Sequence, residues 1–331
     1  MPSPHRRTPD DQLAGTPAGS PAGAVLGGAD HRRVVEFHVP LAVAPTLGAL
    51  RMSSSDPTSE RRGDTFIKAL RTSRGPATVA VRQTGSDRVT YWAWGEGAGE
   101  ALERADRWLG LDDPLESFDP TPHPVVADLA RRQGPVRLGR FGSVAERLVP
   151  TVLGQLVIAK EAKRSYRRLV ARYGEPAPGP FALALAPAPD VLAALGSHDY
   201  HVVGVERKRA AIVQRVAREA DRLAGLDDAP LDLAYRRLRS IPGIGPWTLA
   251  SVGRVAFGDA DAVVIGDYNL PHLVSWALAG QRRSNDEEML ELLAPFAGHR
   301  GRVQAMLKTG GAALKPPRRG PRRPFRSIER H

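Results

Sequence analysis

The segment Ile241-Pro242-Gly243-Ile244-Gly245, followed by Pro246-Trp247-Thr248, constrains the local geometry more than any other stretch of the chain. Before it, Leu231 to Arg239 reads as a short helix with Leu231, Ala234, Tyr235 and Leu238 on one face. Pro242-Gly243 ends that helix. Gly243 and Gly245 allow positive φ and remove side chains that would keep another backbone away. Pro246 suits the first turn of a second helix, where no N–H is needed. The pattern is a helix-hairpin-helix. The N–H groups that open its second helix, with the positive end of the dipole, make an anion site. A DNA phosphate fits such a site and is held without regard to base sequence. Gly243, Ile244, Gly245 and Thr248 are the expected DNA contacts. At the level of Gly-x-Gly alone, an αα-hairpin that binds nothing reads the same way.

Twenty residues beyond Trp247, a carboxylate stands in Gly266-Asp267-Tyr268-Asn269-Leu270-Pro271-His272, after the apolar run Ala262-Val263-Val264-Ile265. A helix is expected to start near Asn269, with Pro271 tolerated in its first turn. Local sequence makes Asp267 an N-cap or Asx-turn residue.

Hairpin and aspartate together resemble the HhH-GPD superfamily of DNA glycosylases, in particular the bacterial 3-methyladenine DNA glycosylase II type. Val152-Leu153-Gly154-Gln155-Leu156-Val157 is similar to that family's Leu-Gly-Gln-Leu-Val block. Gly204-Val205-Glu206-Arg207-Lys208-Arg209-Ala210 is similar to the turn and helix start before its hairpin, and Val34 to Leu111 to its amino-terminal domain. The resemblance spans residues 34 to 312. It implies that Asp267 is both a helix cap and the catalytic carboxylate. It also implies that Leu156 is inserted into the DNA stack where a base has left, with Gln155 facing the gap. Trp247, Ser251 and Tyr268 would then border the flipped base. Read alone, Leu156 in a helix from Pro150 to Tyr173 is a core residue, Gln155 a surface polar residue and Trp247 a packing residue. His272 reads as a phosphate or nucleotide contact, or as a half-buried residue with its hydrogen bonds satisfied. Arg300 and Arg302 read as DNA contacts or as residues of a solvated helix face.

The chain has no cysteine, so it cannot hold a cysteine-ligated iron–sulfur cluster. Where bifunctional members of the family carry a nucleophilic lysine, this chain has Trp247, which cannot form a Schiff base. The expectation is a monofunctional glycosylase that flips a damaged, alkylated purine from duplex DNA and hydrolyses its glycosidic bond. The second reading is a non-catalytic or weakly active lesion-binding protein on the same platform. No cofactor is required. A structural monovalent cation on the hairpin carbonyls of Arg239, Ile241 and Ile244 is what the resemblance implies. Aligned from the hairpin, Ser251, Ala49 and Lys308 stand where the family has pocket aromatics. This weakens cation–π attraction for a charged base.

A length of 331 residues supports two domains. The net charge of +11 suits a polyanionic partner. From Lys315 to His331 the chain has seven Lys/Arg residues and one glutamate, a net +6. The expected organisation is a disordered tail over 1–33, an α+β domain with an antiparallel sheet over 34–113, a two-lobed all-α glycosylase domain over 114–314, and a basic disordered tail over 315–331. Strands are expected at Val34–Val39, Thr78–Val81 and Val89–Trp92, with a turn at Gly85-Ser86-Asp87. A helix is expected over Glu96 to Leu109, a capping box at Ser143-x-x-Glu146, and a helix stop at Gly174. No apolar run reaches transmembrane length. The expectation is a cytoplasmic monomer, associated with the nucleoid when on DNA.

Overall fold

The computed structural model describes residues 26–141 and 143–317. Five strands form one antiparallel sheet in the order β1-β5-β4-β3-β2: β1 (His31–Glu36), β2 (Ser59–Arg62), β3 (Thr65–Thr72), β4 (Gly75–Gln83) and β5 (Arg88–Trp94). β1, β4 and β5 are the strands expected from the alternation of apolar residues, and Thr84 N–H donates to Arg88 carbonyl at 2.9 Å to close the turn between β4 and β5. β1 opens at His31 and Leu26 is buried, so the disordered tail expected through residue 33 does not extend over these positions. Residues 1–25, and the basic tail from residue 318, lie outside the described residues.

β2 and β3 have no counterpart among the expected strands. Lys68 and Arg71 interrupt the apolar pattern of β3, yet Lys68 is buried. Its ammonium donates to Thr58 Oγ1, faces the Glu146 carboxylate at 3.9 Å and lies over the Phe141 ring. A buried ammonium survives only with such partners.

Both sheet faces are covered. Val79, Val81, Val89 and Tyr91 face the helix Ala98–Glu103 and the 3-10 turn Ala105–Leu109, into which the helix expected over Glu96 to Leu109 divides. Ile67, Ala80, Trp92 and Trp94 face Phe181, Leu183 and Leu185. These last three belong to a small ribbon region, β6 (Glu175–Pro176) with β7 (Ala184–Leu185), that comes much later in the chain.

Beyond Pro124 the described chain is mostly helical. One apolar core runs from Val144 to Phe257, and a second joins Val126 and Leu129 to residues between Val264 and Leu307. Ser143 Oγ accepts from Glu146 N–H at 3.1 Å and caps the helix Val144–Leu153. The reciprocal half of the expected capping box does not form, because the Glu146 carboxylate faces Lys68. The single helix expected from Pro150 to Tyr173 is two helices, Val144–Leu153 and Ala159–Tyr173, and Gly174 follows the second. Among the described residues no helix is long and apolar enough to cross a membrane.

Candidate functional site

The hairpin forms as expected, from the helix Leu231–Arg239 through the turn to the helix Pro246–Val252. Ile241 and Ile244 are buried and anchor the turn in the first core. Gly243 has φ +98°, and a Cβ there would come within 2.5 Å of Ile212. Only glycine satisfies both conditions. Gly245 differs from expectation: it is extended, with open space where a Cβ would stand. It leaves the start of the second helix uncovered and contributes no special backbone angle.

The family-like block lies against this hairpin. After the helix Val144–Leu153 the chain turns, and Leu156 adopts φ +57°, left-handed for a residue with a Cβ. Its side chain is 100% exposed, so the reading of Leu156 as core is excluded. Gln155 is held: its amide donates to Gly243 carbonyl at 3.0 Å and to Thr248 Oγ1 at 2.9 Å. Thr248, expected at the DNA side of the hairpin, is buried, and its Oγ1 accepts from Gln155. The Leu156 turn is therefore fastened to the hairpin by hydrogen bonds spanning about ninety residues of sequence.

Asp267 caps as its local sequence implies. Its Oδ1 accepts from Asn269 N–H at 2.8 Å and Leu270 N–H at 3.1 Å, at the start of the helix Leu270–Ala279. The other oxygen, Oδ2, accepts from the Trp247 indole N–H at 3.3 Å. Trp247 is half-buried against the second core, and a Cβ on Gly154 would lie 3.5 Å from its ring. Trp247 thus joins the Leu156 turn, the hairpin and the carboxylate. Tyr268 is exposed, with its ring edge-on to His272 at 5.8 Å. His272 Nδ1 accepts from Ser284 N–H at 3.1 Å, which leaves the proton of its neutral form on Nε2.

Ser251 follows Trp247 by one turn on the same helix. Arg254, not singled out from the sequence, follows by a further turn where the helix passes into a π-turn over Gly253–Phe257. Its signal was the i, i+4, i+7 spacing. Burial holds its basicity below the ordinary arginine range. Lys308, on the helix Arg300–Thr309, is also lowered, first by desolvation and then by the Arg254 charge; Asp267 opposes this and Lys163 adds to it. Its side chain is open to solvent by area, yet surrounded closely enough to feel these groups. Ala49 ends the helix Val43–Gly48 beside the sheet core.

Two arginines read as possible DNA contacts have other tasks. Arg302 is buried, pairs with Asp113, donates to His299 Nδ1 and lies over the Phe118 ring. Arg300 pairs with Asp261, donating from Nε at 2.9 Å. Arg302 is thereby withdrawn from the solvated face, whereas Arg300 remains partly exposed beside its partner.

No family model matches the chain. It is 29% identical over 177 residues to a Mycobacterium tuberculosis protein named "Probable bifunctional transcriptional activator/DNA repair enzyme AlkA", covering 51% of this chain and 35% of that protein. The match thus spans about a third of the relative's length. Among solved structures, the 3-methyladenine DNA glycosylase from Archaeoglobus fulgidus superposes with TM-score 0.70 at 19% identity, over 83% of this chain and 96% of that one. MBOgg1 in complex with a low-affinity DNA ligand gives 0.60 at 17% identity, over 84% and 96%. The Clostridium acetobutylicum 8-oxoguanine glycosylase/lyase with duplex DNA gives 0.55 at 13% identity, over 75% and 95%. The described chain has the fold of the helix-hairpin-helix DNA glycosylases that its motifs resemble.

Proposed function

We propose that this protein is a monofunctional DNA glycosylase that flips damaged purines, alkylated ones among them, out of duplex DNA and hydrolyses the bond to the sugar. The observation that carries the reading is one connected arrangement. Gln155 ties the Leu156 turn to the hairpin, and Trp247 ties the hairpin to Asp267. A phosphate held at the hairpin, a wedge at Leu156 and a carboxylate at Asp267 are then fixed relative to one another.

In this reading the two helical cores are two lobes, and the DNA lies across the cleft between them. The glycosidic bond is inaccessible in the stack, so the nucleotide is extruded and Leu156 occupies the gap. Trp247 offers an indole face to the extruded base, with Ser251 and Tyr268 beside it. Breaking the N–C1′ bond places positive charge on the sugar. Asp267 meets that charge as a carboxylate already oriented by three donors, so little reorganisation accompanies the reaction. Its free lone pairs also orient the attacking water. His272 Nε2 and the Gly243–Gly245 backbone lie on the side proposed to face phosphate. A monovalent cation would be held by the hairpin carbonyls of Arg239, Ile241 and Ile244; the Ile241 carbonyl accepts from Ile244 N–H and keeps a second lone pair. That ion would bridge to phosphate and take no part in bond cleavage.

Incubation of the purified protein with methylated duplex DNA, with released bases measured by mass, tests the proposal. Release is expected, and Asp267→Asn is expected to abolish it. Borohydride is expected to trap no covalent protein–DNA complex, since Trp247 stands where a Schiff-base lysine would. Binding without release in any condition would leave a lesion-binding protein; a trapped complex would overturn the monofunctional assignment.

A further inference from the structure

Arg209 is buried, and its partners lie on both sides of the Leu156 turn. It stands in the first turn of the helix Arg207–Arg218, whose Ala210 and Val213 are fixed in the first core. Nη1 donates to Leu153 carbonyl at 2.8 Å, and Nη2 donates to Glu161 Oε1 at 3.4 Å. Nε stands 3.7 Å from Glu206 Oε1. Leu153 is the last residue of the helix before the Leu156 turn, and Glu161 is in the first turn of the helix after it. The preceding carbonyls of the first helix are taken by the turn itself. Thr151 accepts from Gly154 N–H at 2.9 Å, and Val152 accepts from Gln155 N–H at 3.1 Å. Leu153 carbonyl is left to Arg209. A cation suits the C-terminal end of a helix and an anion the N-terminal end, so the guanidinium and Glu161 each meet the dipole that favours them.

We infer that Arg209 is a positioning residue for Leu156: it clamps both flanks of the turn, so that the exposed leucine enters the DNA stack without the turn folding back. This rests on the glycosylase reading above. Leu156 has φ +57° and is fully exposed, so neither backbone preference nor burial of its own side chain holds it in place. Gln155 fastens the middle of the turn to the hairpin and leaves its two flanks to other groups. Extruding a base costs unpairing and unstacking, least for a mismatched base and more for a well-paired one. A loose wedge yields to that load, whereas a wedge held at both ends transmits it. Burial strengthens the clamp, because hydrogen bonds are stronger where the local dielectric is low. At 2% exposure Arg209 is withdrawn from any DNA surface and acts through Leu156.

Fluorescence of 2-aminopurine beside a tetrahydrofuran abasic site in a duplex reads the entry of a side chain into the gap. The parent is expected to change this signal on binding, and Leu156→Ala is expected to lose the change. Arg209→Gln is expected to slow it about tenfold, with Arg209→Lys, which keeps a donor for Leu153 carbonyl, slowing it less. The salt dependence of duplex binding is expected to stay at the parent's, since no phosphate contact is removed. Single-turnover excision of 7-methylguanine adds the load of a base pair. The loss in Arg209→Gln is expected to be larger opposite cytosine than opposite thymine, and to vanish in the Leu156→Ala background. Glu161→Gln spares the buried guanidinium and is read alongside in case Arg209→Gln unfolds; it is expected to slow wedge entry in the same direction. Wedge entry at the parent's rate in the folded variants, or losses that add fully to that of Leu156→Ala, would overturn the clamp and leave the glycosylase reading standing. Slowed wedge entry with no base released from methylated DNA by the parent would support the clamp and remove the glycosylase reading.

Discussion

Asp267 holds two tasks that separate by substitution. As a cap it accepts two backbone N–H groups, and as a charge it faces the place proposed for the sugar. Asparagine caps about as well as aspartate, whereas alanine caps poorly and costs about 1 kcal/mol. Asp267→Asn is therefore expected to unfold at the parent's denaturant midpoint with its excision lost. Asp267→Ala is expected to lose excision and also to shift the midpoint down; an equal shift in both variants would mean that capping is not what the oxygen does for stability. The aspartate and the hairpin were legible because each rests on a few adjacent residues whose backbone preferences agree. Leu156 was legible only through the resemblance. Its own neighbourhood reads as continuous helix, and what breaks that helix is Gln155 reaching Gly243 and Thr248, a contact no local pattern contains. Arg254 shared a spacing with Trp247 that was there to be read, but a helical arginine at that spacing is usually solvated. Its burial comes from the fold.

The helix Arg300–Thr309, which carries Lys308, depends on charges distant in sequence. Its start is fastened by Arg302 to Asp113 and by Arg300 to Asp261, with His299 between them. Arg302 Nε donates to His299 Nδ1 at 3.2 Å, so His299 is neutral there, with Nε2 at 2.9 Å from Ser117 Oγ. Desolvation first, and then the Arg302 charge, hold His299 below its ordinary 6.5, against the pull of Asp113 and Asp261. The unfolded chain thus takes up this proton before the folded one does. Stability from His299 is complete above about pH 6.5 and is lost as pH falls toward the folded value. The melting temperature of the parent is expected to drop more steeply between pH 6.5 and 5 than that of His299→Gln. Parallel profiles would show that His299 does not titrate against this joint. Arginines at 300 and 302 could not be assigned from sequence, since their partners lie some forty and almost two hundred residues away. β3 was missed for a related reason: Lys68 reads as an exposed breaker of the pattern, and its burial is made tolerable by the Asp56 and Glu146 carboxylates, Thr58 and the Phe141 ring together.

Across the whole molecule, the sheet depends on both ends of the sequence that surrounds it. One face is closed locally by residues 98–109, and the other by Phe181, Leu183 and Leu185 from beyond the long helix Ala159–Tyr173. Residues 26–113 expressed alone are expected to be insoluble or to bind a hydrophobic dye, since Ile67, Trp92 and Trp94 would face water; a monomeric, cooperatively unfolding fragment would refute that dependence. The strand-then-helix order was legible in the change of period near Pro124. The return of a late segment to cover an early face was not, because it leaves no mark but a short apolar run. That return also sets a clock on synthesis. The chain between Trp94 and Phe181 takes about 4 to 17 s to emerge from a ribosome adding amino acids at about 5–20 per second. Through that interval the finished strands carry an unshielded tryptophan face, and a nascent-chain chaperone has its reason to bind there.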